Sequence, residues 1–205
     1  MKTICSFLSV SLVSFCLHVS AQQEAIPSYS ILPGNVVGYA TNGAGFAFSP
    51  SVPIAVTALG FSYGNDTAPF DPYRVSLFDA SGHQLATAQL TTANALHNQT
   101  YYQSISAVNL TPGATYYVGA VDVGASSGYW LGSVVGAVDG SPFSVDPAIS
   151  YLSGNTGFMP PGTVPGTALG QNYFVGANFE FIVVPEPSVF CLTMAALLGI
   201  ARRRR

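Results

Sequence analysis

The sequence predicts an all-β protein: a single antiparallel β-sandwich, jelly-roll-like, with an N-terminal signal helix before it and a C-terminal hydrophobic helix after it. Three observations lead there. No stretch in the middle of the chain sustains a helical period. Short runs rich in Val, Phe, Tyr, Ile and Thr alternate instead with clusters of Gly, Pro, Asn, Asp and Ser, the pattern of strands joined by turns. The segment 173–184 alternates cleanly: Tyr173, Val175, Ala177, Phe179, Phe181 and Val183 form one wholly apolar face, which must be the core face. Phe174, Gly176, Asn178, Glu180 and Ile182 then point the other way.

In chain order, residues 1–21 read as an export signal. Met1 and Lys2 supply a minimal basic start, an apolar run with serines follows from Ile4 to Val19, and Val19-Ser20-Ala21 is a small-residue cleavage site. The cut falls between Ala21 and Gln22. Cys16 does not make a lipid attachment site, because Phe15 occupies the place of a small residue.

The domain spans 22–184. Strands are expected over 36–39, 45–48, 54–62, 74–79, 84–91, 101–108, 115–123, 129–135 and 173–184. The clearest local signal is a hairpin: Val75 and Leu77 alternate with Ser76, Asp79-Ala80-Ser81-Gly82 provides a turn with glycine where φ can be positive, and Leu85 resumes the strand. A second turn, Thr111-Pro112-Gly113, leads into the strand containing Tyr116 and Tyr117. The Gly-, Ser- and Pro-rich stretch 124–165 reads as long surface loops with one or two short strands, and His97 falls in a loop over 94–99.

Charge excludes some functions. Between residues 22 and 184 there is no lysine and one arginine, Arg74, against eight acids, for a net charge of about −7. Nucleic acid is therefore not a partner, since no basic footprint exists to displace its counterions. All three cysteines, Cys5, Cys16 and Cys191, lie outside 22–184, so the domain can form no disulfide and no thiolate metal site.

No constellation announces an enzyme. There is no G-x-S-x-G elbow and no H-x-x-x-H pair, and most acids sit in turns, while Glu180 lies inside the last strand and faces away from the core. Asn65, Asp66 and Asp71 could offer oxygens to calcium but lack the spacing of a calcium loop. His83 reads as a solvated turn residue. The expectation is a non-enzymatic domain that uses no cofactor and folds without metal. Tyr129 and Trp130 are the candidate platform for a sugar ring, which leaves a carbohydrate-binding module as the alternative reading and a hydrolase as an unsupported third.

After the domain comes Val184-Pro185-Glu186-Pro187-Ser188, whose prolines lack an N–H and keep the peptide extended. An uncharged run follows from Val189 to Ala201, and Arg202, Arg203, Arg204 and Arg205 form a basic cluster. As a helix those thirteen residues reach about 20 Å. That is short of a hydrocarbon core of about 30 Å, but snorkelling arginines and local thinning permit a span, with the arginines on the cytoplasmic side.

These residues, in this order, resemble the PEP-CTERM sorting signal of Gram-negative bacteria, with Ser188 where many relatives have threonine. The resemblance covers 185–205 together with Val184. It implies recognition by exosortase, transient residence in the inner membrane, processing at the motif, and delivery to the cell surface or extracellular matrix, where exopolysaccharide is the expected surrounding. A second resemblance spans roughly 46–121. Val56-Thr57-Ala58-Leu59-Gly60-Phe61, Val75-Ser76-Leu77-Phe78-Asp79-Ala80-Ser81-Gly82 and Leu110-Thr111-Pro112-Gly113 look like a DUF4082-type β-sandwich, with Phe78 where such domains usually carry tryptophan. It implies fold and little about function. The two together point to a structural or adhesive surface protein.

Overall fold

A computed structural model describes residues 21–29, 44–62, 72–122, 143–156, 168–170 and 176–185. Every regular element among them is a strand: β1 (Gln23–Glu24), β2 (Ser28–Tyr29), β3 (Ala44–Pro50), β4 (Ile54–Ser62), β5 (Tyr73–Asp79), β6 (Gln84–Leu90), β7 (Ala95–His97), β8 (Thr100–Leu110), β9 (Tyr116–Asp122), β10 (Phe143–Ser144), β11 (Ile149–Thr156), β12 (Ala168–Gly170) and β13 (Ala177–Val183). All pairings are antiparallel. One sheet runs β1-β13-β4-β8-β7, a second β12-β11-β3-β9-β5-β6, and β2 pairs with β10 as a small ribbon.

The two large sheets face each other in a sandwich-like arrangement because each presents one continuous apolar face. Phe179 on β13 packs on Phe48 of β3 with ring centroids 4.6 Å apart, and Phe61 on β4 stacks on Tyr73 of β5 at 4.1 Å. Val56, Leu59, Val75, Leu77, Val118 and Phe181 complete the core, each fully buried. The second sheet is tight at one point, where Gly45 faces Gly119: a Cβ on Gly45 would stand 1.9 Å from the Val118 carbonyl oxygen.

The expected strands within the described residues are present to within two residues at their starts, except the last. There residues 173–175 lie outside the described residues, Gly176 is a bend with φ +33°, and β13 runs from Ala177. The expectations at 36–39 and 129–135 lie outside the described residues. Elsewhere the sequence reading is corrected. Residues 95–97 are a strand and not a loop, and β1, β2 and β12 were not foreseen. Nor is β11 a short strand within loops: its eight residues sit between β3 and β12 in the sheet. Short polar segments such as Ser153-Gly154-Asn155 carry no alternation, and only the neighbouring strands recruit them.

The β5–β6 hairpin is built as expected. Gly82 takes φ +82° and Leu85 is the extra residue, since Phe78 pairs with Gln84 and Leu77 with Ala86. The Asp79 carboxylate accepts bonds from the Ser81 hydroxyl (2.6 Å), the Ser81 amide (2.9 Å) and the His83 amide (3.0 Å). These, the Ser81 hydroxyl foremost, hold its pKa below the ordinary 3.8. A depressed acid stabilises the fold above its unfolded pKa and loses that contribution as pH falls through the folded value. Urea midpoints of wild type and Asp79→Ala should therefore differ by a constant amount near neutrality and converge as pH is taken below 3.8. A gap that stayed constant into acid would show that the carboxylate's charge is not what matters.

Candidate functional site

On β13 the residues between the core phenylalanines point outward, and Asn178 and Glu180 lie on that outer face. It is not bare, as the alternation implied. The segment 24–26 runs along it: β1 pairs Glu24 with Glu180, and the Ala25 amide donates to the Phe179 carbonyl at 2.9 Å. Asn178 is fully buried beneath this segment. Its Oδ1 accepts from the Ile26 amide (3.1 Å) and its Nδ2 donates to the Ile26 carbonyl (2.9 Å). A side-chain amide thus closes a backbone ladder that the chain itself leaves open.

From the other edge of the same sheet comes His97. β7 and β8 are joined by Asn98 and Gln99, both at positive φ (43° and 70°), the geometry of a two-residue turn that follows the strand twist. Asparagine tolerates that conformation, and its side chain is used: Asn98 Nδ2 donates to Glu24 Oε1 at 3.1 Å. The tip of this hairpin meets the outer face of β13 even though β1 and β7 are opposite edges of the sheet. His97 Nδ1 lies 2.6 Å from Glu24 Oε1 and 3.3 Å from Glu180 Oε1. Beneath the tip, Ser62 and Thr100 are fully buried and share a hydroxyl–hydroxyl bond of 2.5 Å. Gly60 faces Tyr102 across β4 and β8, and a Cβ on it would stand 2.4 Å from the tyrosine ring, so glycine gives that ring its room.

The burial of these groups is uneven. The side chain of His97 is 61 % exposed, Glu180 13 % and Glu24 4 %. Glu24 is pushed above the ordinary carboxylate range by burial first, against the opposing pull of His97 and the Asn98 bond. Its Oε2 is buried with no hydrogen-bond partner. Burial drives the Tyr102 pKa strongly upward and the charges of Glu24 and Glu180 add to it, against the smaller opposing pull of Thr100 and Asn178. Glu180 is held by Gln22, whose Nε2 donates to Oε2 at 2.5 Å.

The cluster draws on residues 24, 97 and 180, so no spacing in the sequence could have revealed it. Of the residues singled out from sequence, Ala21 and Gln22 are exposed and directly precede β1. Val184 is tied to the sheet by its amide on the Pro53 carbonyl (2.9 Å), and Pro185 is exposed. Glu186, Pro187, Ser188, Arg202–Arg205, Tyr129, Trp130, Asn65, Asp66 and Asp71 lie outside the described residues. His83 is a solvated turn residue, 3.9 Å from Asp79.

The fold and this cluster define a class and no more: an antiparallel all-β protein bearing an acid–histidine group on one sheet's outer face. No protein-family model matches the chain, and no curated protein matches it.

Proposed function

We propose that this is an exported, non-enzymatic protein of the cell surface or extracellular matrix of a Gram-negative bacterium, structural or adhesive in an exopolysaccharide setting. Its jelly-roll-like β-sandwich, residues 22–184, would be delivered by exosortase acting on the tail 185–205. The observation that carries this reading is the order of the tail: Pro185-Glu186-Pro187, an uncharged run to Ala201, then four arginines. The geometry is compatible, because the sheet's hydrogen bonding reaches Val184 and Pro185 is already exposed, so the motif begins where β13 has ended.

The test is Glu186→Ala in a host that encodes an exosortase. The prolines still hold the peptide extended, but the acidic residue between them is gone. Full-length protein should accumulate in the inner membrane, detected by fractionation and mass spectrometry, while the wild type is trimmed and leaves it. Normal trimming and delivery of the variant would refute the sorting role.

A further inference from the structure

We infer that Glu24, His97 and Glu180 together bind one divalent cation of the zinc-like kind, a site independent of the sorting reading. Their ligand atoms all lie within 4.8 Å of one another. A four-coordinate ion with bonds of about 2.0–2.1 Å holds its ligands about 3.3 Å apart. His97 Nδ1 and Glu180 Oε1 already stand at 3.3 Å, and the 2.6 Å contact to Glu24 needs to open by less than about 1 Å. The imidazole nitrogen decides the kind of ion. Calcium and magnesium take oxygen ligands, whereas a nitrogen with two carboxylates suits zinc and its neighbours.

An unpartnered polar atom points to a missing cation. Glu24 Oε2 is buried with no donor, in a side chain only 4 % exposed, and a bound dication would supply the positive partner that it lacks. Asn98 and Gln22 already orient one carboxylate each, as supporting groups do around metal ligands. The one arginine between residues 22 and 184, Arg74, lies on β5 in the other sheet, and this segment has no lysine, so no basic side chain of these residues neutralises the cluster. His97, largely exposed, gives the ion a path from solvent and leaves the fourth position to water.

The experiment uses the untagged full chain in detergent, stripped with chelator, its cysteines alkylated so that only nitrogen and oxygen ligands remain. Zinc chloride alone is titrated calorimetrically, and melting is followed with and without it. One equivalent should bind and raise the melting temperature, and calcium chloride at equal concentration should not. His97→Gln and Glu180→Gln should each weaken binding more than about tenfold, the scale on which even supporting groups around a metal act. His83→Gln should not. Because His97 is exposed, His97→Gln should keep the wild-type far-ultraviolet circular dichroism, which separates lost binding from lost folding. Cobalt(II) should give the visible absorption of a four-coordinate ion, absent in His97→Gln. Absence of stoichiometric zinc binding, binding unchanged in both ligand variants, or calcium matching zinc would overturn the site and leave a histidine bridging two carboxylates.

Discussion

Phe179→Ala is expected to lower the free energy of unfolding by about 3–5 kcal/mol, the range for removing a buried aromatic ring. Phe179 is fully buried, and its ring sits between the sheets, 4.6 Å from Phe48, 6.0 Å from Phe181 and 6.4 Å from Phe46. Rings on both sheets contact it, so the space left behind cannot be refilled by one side chain changing rotamer. A loss of this size is a large part of the roughly 5–15 kcal/mol that holds a domain folded. In urea the midpoint should fall with little change in slope. A loss below about 1 kcal/mol would mean that the sheets close without this ring, and the packing described for the core would be wrong.

Asn178→Leu is the second large effect. Leucine is similar in size, so the change is chemical. It removes the acceptor for the Ile26 and Phe179 amides and the donor to the Ile26 carbonyl. Each backbone group stranded in a buried setting costs about 1–3 kcal/mol. The damage should be directional, because the Ile26 groups belong to the segment that carries Glu24. Hydrogen exchange should show the Ile26 amide losing protection in the variant while amides of β4 and β9 lose less. Asn178→Asp should be no milder at neutral pH, because it sets a carboxylate oxygen against the Ile26 carbonyl in a fully buried place. Equal protection of Ile26 in wild type and Asn178→Leu would show that the side chain does not secure this segment.

The site and the fold differ in how far they could be read in advance. The hairpin at Asp79–Gly82 was legible because its causes are local: an aspartate that bonds its own turn, a glycine at positive φ, and alternation on both sides. The turn at Asn98–Gln99 has the same backbone requirement at both residues, but glutamine is not the glycine that usually signals it. From sequence alone His97 therefore reads as a loop residue. Asn178 reads from sequence as an outer-face residue, which it is, but its burial does not follow, because alternation reports which side a residue faces and not what covers that side.

By itself the sequence determined the class of structure: β-strands, their core face at Phe179 and Phe181, and a stretch from 22 to 184 with no cysteine. Those follow from period, residue type and count, which are properties of neighbours in the chain. Only the tertiary structure decided that β1 lies along β13, that the β7–β8 tip reaches it across the same sheet, and that Glu24, His97 and Glu180 converge. The reason is physical. Pairing of strands separated by more than 150 residues rests on backbone hydrogen bonds and on Asn178 closing the ladder, and backbone groups are the same in every residue but proline.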